Sequence, residues 1–271
     1  AGRAAEYLDD RSKIGSIYWN LMGKYLDFGY RSPRTKLRLL TGILLATVLY
    51  DQEERKKQIA ALALEHLDTV PDATPLERGR LMIAYGLSLR SQAKPLAGSI
   101  QVEEGYELIS GAVPKHHPER IRPLRLLMAF SISQSHFEPA SHFGRVLLNT
   151  LTKPVPEGAT LENPERLGWA ELSLAAAVAE TGQRKQAQRL STTGLERLRE
   201  LYGAGTAGHG VSLDIFSHVS LRNNDIKSAE KASKEALALV DGGSVEFWPR
   251  AEVDIVTGMA RVMRAKKRKK K

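Results

Sequence analysis

The chain has 271 residues, of which 42% are hydrophobic and 26% charged, and its formal net charge is +9 at pH 7. This composition is that of an ordinary globular protein, and the length suffices for one large domain or two small ones. The absence of cysteine excludes disulfides, thiolate metal sites and a cysteine nucleophile. The longest apolar stretch, Leu37–Tyr50, is interrupted by Arg38 and is too short to span a membrane, so it predicts a buried helix.

Residues 1–78 predict atypical N-terminal helices that could include a divergent repeat. Apolar spacing favours helices at Lys13–Asp27, Lys36–Tyr50 and Glu53–Leu67, but their register with the rest of the chain stays open. The segment Arg11–Tyr30 carries a stripe of apolar residues at intervals of three and four. It predicts a core-facing helix, with a partner-facing helix as the alternative.

From residue 79 onwards the sequence repeats a helix–break–helix pattern. The breaks fall near Ala93, Ser135, Gly182 and Asn224, and the last two are 42 residues apart. The segments start at 79, 121, 168 and 210, with 252 as a candidate fifth start. Five additional residues enter in Lys153–Glu162, whose prolines and glycine predict an enlarged loop. A period of this length is typical of stacked repeats that share one core.

Small residues recur at fixed places in the second helix of each segment. Ala187 and Gly194 stand five and twelve positions after the break at Gly182, and Ala229 and Ala236 stand at the same places in the next segment. Two antiparallel helices approach closely only where the side chains at the crossing are small. The pattern therefore predicts helical hairpins that nest against one another.

This pattern resembles the tetratricopeptide repeat (TPR). The family has a further small residue in the first helix, and Gly86, Ala175 and Ser217 stand there, whereas Met128 departs from the pattern. The period of 42 residues is similar to the extended variant of kinesin light chains, and the segment Leu198–Gly210 resembles its connector. The resemblance implies an all-α fold, a right-handed α-solenoid of antiparallel helix hairpins.

The resemblance also implies a protein–protein interaction scaffold or adaptor, an assembly or regulatory subunit of a larger complex. The TPR-like region, residues 79–263, would bind a partner segment in a concave groove lined by the first helices. Carried over position by position, the groove residues are Arg80, Arg90, Arg122, Arg125, Trp169, Glu180, Asp214, His218 and Arg222.

The types of these residues indicate a class of partner. The four arginines would cluster on the first two repeats, and guanidinium groups suit carboxylates, so we expect an acidic peptide or subunit with Trp169 as an apolar anchor. Asp214, His218 and Arg222 recur every four residues and would form one polar stripe. Ordinary solvated helix faces are the alternative for both groups.

The last eight residues, 264–271, predict a basic disordered tail. They hold seven of the nine net positive charges, and a block of like charge has no apolar surface to bury. A solubilising end and a nuclear address are possible roles. The alternative function is a nucleic-acid-associated helical repeat protein that uses the tail and the arginine-bearing face. The tail residues that would contact a polyanion are Arg264, Lys266, Lys267, Arg268, Lys269, Lys270 and Lys271.

The sequence contains little that indicates a catalytic, cofactor-binding or metal-binding site. Gly203-x-Gly205-x-x-Gly208 has the spacing of a dinucleotide fingerprint, but a helix precedes it where a strand is required, which favours an interhelix loop. The histidines lack the spacing of a metal site. We therefore expect no catalytic residue, cofactor or metal, with a helical enzyme as a third possibility. We also expect a soluble protein of the cytoplasm or an organelle matrix.

Overall fold

The computed structural model describes residues 32–47, 53–153, 165–242 and 249–269, and these ranges hold eleven α-helices and no strand. The chain divides into two compact units, Ala1–Leu127 and Met128–Lys271. The helix predicted at Lys13–Asp27, most of the loop predicted at Lys153–Glu162, and the final residues Lys270 and Lys271 lie outside the described residues. Within the described ranges, no helix combines the length and the apolar character that crossing a bilayer requires.

The helices follow the predicted order, and a short 3₁₀ turn, Pro118–Arg120, precedes the fifth of them. Their bounds are α1 Pro33–Thr47, α2 Glu53–Asp68, α3 Pro75–Ser91, α4 Pro95–Ala112, α5 Ile121–Ser133, α6 Phe137–Thr152, α7 Glu165–Glu180, α8 Arg184–Tyr202, α9 Ala207–Arg222, α10 Ile226–Asp241 and α11 Pro249–Lys269.

The four predicted breaks are confirmed, and each has the same backbone geometry. Ala93, Ser135, Gly182 and Asn224 have φ values of 58°, 60°, 80° and 64°. At each break the following residue donates its N–H to the carbonyl five residues earlier, as in the bonds from Lys94 to Leu89 at 3.0 Å and from the other three breaks at 2.8–3.0 Å. This is the Schellman pattern, which satisfies the last carbonyls of one helix while it reverses the chain. One turn type therefore builds these four hairpins.

In the first unit, α3 and α4 pack closely because glycines stand where they cross. A Cβ on Gly105 would lie 2.7 Å from the carbonyl oxygen of Gly79, and a Cβ on Gly86 would lie 2.6 Å from that of Gly98. The α3 helix begins with a capping box in which Thr74 and Glu77 bond reciprocally. Buried side chains of α1, α2 and α3 form the core of this unit: Leu37, Leu40, Leu44, Ile59, Ala63, Leu81 and Ala84.

The structure also supplies the repeat register that was open before residue 79. Arg38 Nε donates to Glu77 at 2.8 Å, and Arg80 Nε donates to Glu119 at 3.0 Å. The two arginines are 42 residues apart, and so are the two glutamates. The α1–α2 pair therefore fits the period of 42 residues, with Arg38 in register with Arg80.

In the second unit the same crossings recur with different small residues. A Cβ on Gly194 would lie 2.9 Å from the carbonyl oxygen of Gly168. In the next hairpin, Ser217 donates its hydroxyl to the carbonyl of Ala229 at 3.1 Å. Its core includes one buried cluster of Leu174, Ala175, Val178, Ala179, Ala187, Leu190 and Val219, and another of Leu213, Ala232, Ala236 and Ile255.

The C-terminal tail differs from the expected disorder. Helix α11 continues through Lys269, so residues 264–269 are helical. Ile255 and Val262 are buried and anchor the helix, and Lys266 Nζ contacts both carboxylate oxygens of Glu230 at 2.7 and 2.8 Å. Cations near a helix C-terminus also interact favourably with the helix dipole. Like-charge repulsion is thus offset by contacts that the sequence pattern did not reveal.

Candidate partner-binding surfaces

The predicted groove arginines lie in the first unit and have different surroundings. Arg80 binds Glu119, and this hydrogen bond, assisted by the charges of Glu119 and Glu77 against partial burial, raises the pKa of Arg80. Arg90 is exposed near the other end of α3, about 15 Å further along the helix axis. The arginines of α3 are therefore spread along the helix, and Arg80 is engaged within the fold.

Arg122 and Arg125 occupy the exposed face of α5. They are three residues apart, so both guanidinium groups emerge from the same side of the helix. Arg122 stands 42 residues after Arg80 and 84 after Arg38, which makes it the third member of the series. Arg80 and Arg38 each bind a glutamate of the same unit, whereas Arg122 is exposed and forms no such ion pair within the ranges that the structure describes.

Glu77 is the carboxylate that binds Arg38, the first arginine of the series. Burial by itself would raise the pKa of Glu77, but hydrogen bonds from Thr74 and Arg38 together with the charge of Arg34 lower it below its ordinary value. Arg34 Nε lies 3.3 Å from the same carboxylate. Glu77 Oε2 thus caps α3 and contacts Arg34 of α1, while Oε1 accepts from Arg38 of α1.

In the second unit, the residues of the predicted stripe Asp214–His218–Arg222 on α9 contact two different neighbouring helices. His218 Nε2 lies 3.1 Å from Glu180 Oε1, and Arg222 Nε donates to the same oxygen at 2.6 Å. Glu180 ends α7, so this cluster joins the first helices of two successive hairpins. Burial, with the charges of Arg222 and Arg261, lowers the pKa of His218 despite the opposing charge of Glu180.

Asp214, one turn earlier on α9, packs against α11 instead. A Cβ on Gly258 would collide with its Oδ1 atom, so only glycine permits this approach of α9 to α11. Burial raises the pKa of Asp214 to about 6, the nearby charge of Asp254 adds to the rise, and Arg261 opposes it. The local sequence signal, a spacing of four on one helix, could not reveal that Asp214 and His218 contact different neighbours.

Trp169 makes its contact within its own hairpin. Its indole N–H donates to the hydroxyl of Tyr202 at 2.9 Å, and the two ring centroids are 6.2 Å apart. The Tyr202 ring also packs on Gly208, where a Cβ would lie 2.7 Å from a ring carbon. Gly203 and Gly205 have φ values of 80° and 90° between α8 and α9, so the glycine motif is an interhelix connector, as the sequence predicted.

The basic C-terminal residues form one end of α11. Hydrogen bonds from Lys234 and Lys266, with the charges of both, lower the pKa of Glu230 to about 2 despite the opposing effect of desolvation. The neighbouring Arg264, Lys267, Arg268 and Lys269 are exposed. Among the described residues, no group of three histidine, aspartate or glutamate side chains is arranged to hold a metal ion.

The hairpins, their repeated turns and their small-residue crossings define a TPR-like helical-repeat protein, as predicted. The chain is similar to a structure described as a kinesin light chain of Podosopora anserina with nearly identical TPR-like repeats, at 12% identity and a TM-score of 0.61 over 79% of this chain and 99% of that chain. It is similar to BtubC (BKLC) of P. vanneervenii at 11% identity and a TM-score of 0.63, over 86% and 89% of the two chains.

A third similar structure is NprR in complex with its cognate peptide NprX. The identity is 14% and the TM-score 0.58, and the match covers 96% of this chain and 72% of NprR. No family model matches the chain, and no curated protein matches it by sequence. At these identities the likeness shows the fold alone, a TPR-like helical repeat.

Proposed function

We propose that this protein is a non-catalytic interaction scaffold, an assembly or regulatory subunit of a larger complex, that binds an acidic segment of a protein partner along its first helices. The observation that carries the proposal is the arginine series of the first unit. Arg38 and Arg80 each bind a carboxylate supplied by the fold, and Arg122 presents the equivalent guanidinium to solvent beside Arg125. A guanidinium group binds a carboxylate through two parallel hydrogen bonds, which suits an aspartate or glutamate of a partner.

The other predicted groove residues differ in how much of each side chain is accessible to a partner. His218 and Arg222 both bind Glu180, and Trp169 binds Tyr202, so a partner would have to contact the outer edges of these side chains. Arg222 is the most exposed of the three clustered side chains, at 54%. NprR, which has a similar fold, holds a peptide, and this supports a peptide or extended segment as the form of the partner.

A capture experiment with matched variants tests the role of the α5 arginines. The tagged full chain and the variant Arg122→Ala/Arg125→Ala are used to capture proteins from native lysate, and the captured proteins are quantified by mass spectrometry. We expect the double variant to lose the main partner while its melting temperature stays close to that of the parent, because both residues are exposed.

The control variant is Lys185→Ala/Arg189→Ala. It removes the same number of positive charges from an exposed part of α8, which is the second helix of its hairpin. It should retain the partner. Equal capture by the parent and the Arg122→Ala/Arg125→Ala variant would contradict the proposed surface.

The second candidate function, a nucleic-acid-associated repeat protein, is favoured by one observation. Arg264, Lys267, Arg268 and Lys269 are exposed on the last turns of α11 and could contact phosphate groups. Binding through these residues would weaken steeply with salt because each phosphate contact releases counterions.

A further inference from the structure

Helix α11 leaves an apolar stripe outside the packed interior of its unit. Ile255 is buried at 1% exposure, whereas Val253, Val256 and Met263 are 63%, 51% and 44% exposed. Together with the exposed Ala260, these side chains recur at intervals of three and four residues. That spacing places them on one side of the helix and is the pattern of a seam between two helices.

The stripe corresponds in position to a surface that is covered in the two preceding hairpins. In each of them, the first helix is covered there by the first helix of the next hairpin. Val256 stands 42 residues after Asp214, and Asp214 is covered by α11 at Gly258. In the preceding hairpin, Glu180 of α7 is in turn covered by α9 through His218. The first helices α7 and α9 are therefore each covered by the next first helix, and the α11 stripe is the equivalent surface that the described helices leave exposed.

The charges at one end of the stripe narrow the choice of occupant. An open surface depression of about 450 Å³ at this end is lined by Met263, Ala260, Arg264, Lys267 and Arg268. Lys266 is bound to Glu230, on the opposite side of the helix. The exposed surface therefore combines apolar side chains with a group of three cations, and a complementary surface would combine apolar side chains with carboxylates.

We propose that α11 docks an acidic amphipathic helix of a partner protein, with apolar residues against the stripe and Asp or Glu residues against Arg264, Lys267 and Arg268. A second copy of this chain is less complementary. The α11 helix of a second copy carries an excess of cations. In a parallel pair of α11 helices, the two cationic C-terminal ends would lie side by side. In an antiparallel pair, the cations of one helix would meet only two carboxylates of the other, Glu252 and Asp254. This surface shares no residue with the α5 arginines, so the two proposals stand or fall separately.

The test uses the full chain and a synthetic helical peptide of known chemistry. A fluorescent peptide of about 21 residues, long enough to cover α11, carries leucines in a heptad seam with flanking glutamates, and a matched peptide carries lysines in place of the glutamates. Fluorescence anisotropy measures the affinity at low salt and at about 0.3 M salt. We expect the glutamate peptide to bind, to weaken with salt, and to bind roughly tenfold or more tightly than the lysine peptide.

Two variants separate the apolar from the charged contribution. Val256→Asp/Met263→Asp should reduce the affinity for the glutamate peptide roughly tenfold or more while leaving the circular dichroism spectrum unchanged, because both side chains are exposed. The variant Arg264→Glu/Lys267→Glu/Arg268→Glu should bind the lysine peptide more tightly than the glutamate peptide. This second variant keeps the test valid if the first variant unfolds. Unchanged affinity in both variants would overturn the proposal, as would a dimer in sedimentation velocity that Val256→Asp/Met263→Asp dissociates.

Discussion

At the scale of single residues, the structure depends on side chains whose neighbours lie on the next hairpin. Glu180 accepts from His218 and Arg222, which are 38 and 42 residues further along the chain. Asp214 is pressed against Gly258 and near Asp254, so its ionised form is disfavoured. Such contacts tie stability to the ionisation of individual groups.

Replacing Asp214 with asparagine should stabilise the protein above pH 6. The pKa of Asp214 is raised from 3.8 to about 6, so the folded protein binds this proton more tightly than the unfolded chain. Between these two values the free energy of unfolding falls as the pH rises, and the ionised carboxylate then costs about 1–3 kcal/mol. Denaturant unfolding should show Asp214→Asn to be more stable than the parent at pH 8 and similar to it near pH 4.

The control for this prediction is Asp68→Asn, which changes an exposed aspartate on α2. It should leave the pH dependence of unfolding as it is in the parent. Identical stability of Asp214→Asn and the parent at pH 8 would show that burial does not penalise the Asp214 carboxylate.

Residues at the hairpin turns should respond to substitution according to φ. Ala93 has a φ of 58°, a region that a Cβ disfavours, whereas Gly182 has a φ of 80° with no atom within 4 Å of an added Cβ. Ala93→Gly should therefore raise the free energy of unfolding and Gly182→Ala should lower it, each by about 1 kcal/mol. Paired thermal and urea unfolding curves measure both, and the same sign for the two variants would exclude backbone strain as the cause.

At the scale of elements, a hairpin is held together by the distance at which its helices cross. Gly79 and Gly105 bring the backbones of α3 and α4 into contact, and Gly168 and Gly194 do so for α7 and α8. Glycine lowers the stability of an isolated helix, so its presence at these places indicates that close packing outweighs propensity.

Two glycines of α4 should show this difference directly. An added Cβ at Gly105 would lie 2.7 Å from the carbonyl oxygen of Gly79, whereas Gly111 has nothing within 4 Å. Gly105→Ala should destabilise by about 1–3 kcal/mol through overpacking, and Gly111→Ala should stabilise by up to about 1 kcal/mol through helix propensity. Urea unfolding measures both, and equal effects would mean that the α3–α4 crossing tolerates a methyl group.

At the scale of the whole molecule, the proposed scaffold should capture the same protein partners with and without nuclease. The net charge of +9 is concentrated in the last eight residues, which leaves +2 for the rest of the chain. Polyanion binding would therefore depend on this end and weaken steeply with salt. The test combines nuclease treatment with the variant that has glutamine in place of Lys267, Arg268, Lys269, Lys270 and Lys271.

This variant keeps Lys266 and its contact with Glu230, so helix α11 should remain formed. Partners that persist after both treatments support the scaffold. Partners that disappear with nuclease would instead support the nucleic-acid-associated function, whereas protein partners that disappear only with the charges would match the acidic helix proposed to dock on α11.

The repeat architecture could be predicted because its determinants are local. A break in the helical pattern, a small residue five positions later and a helix on either side are visible in any one segment, and their recurrence at Gly182 and Asn224 sets the period. The register of α1 and α2 was also readable, in the spacing of Arg38 and Arg80, but only once the ion pairs showed that these residues are equivalent.

By itself, the sequence determined the helical hairpins, the positions of their turns and the absence of cysteine chemistry, because each follows from a residue and its near neighbours. Only the tertiary structure decided which side of each helix is covered. It divided Asp214 and His218 between different neighbours and engaged Trp169 with Tyr202. It also made the basic end helical through Lys266 and Glu230. The physical reason is that burial and ion pairing depend on residues about 40 positions away, whose approach is set by the crossing geometry of the helices.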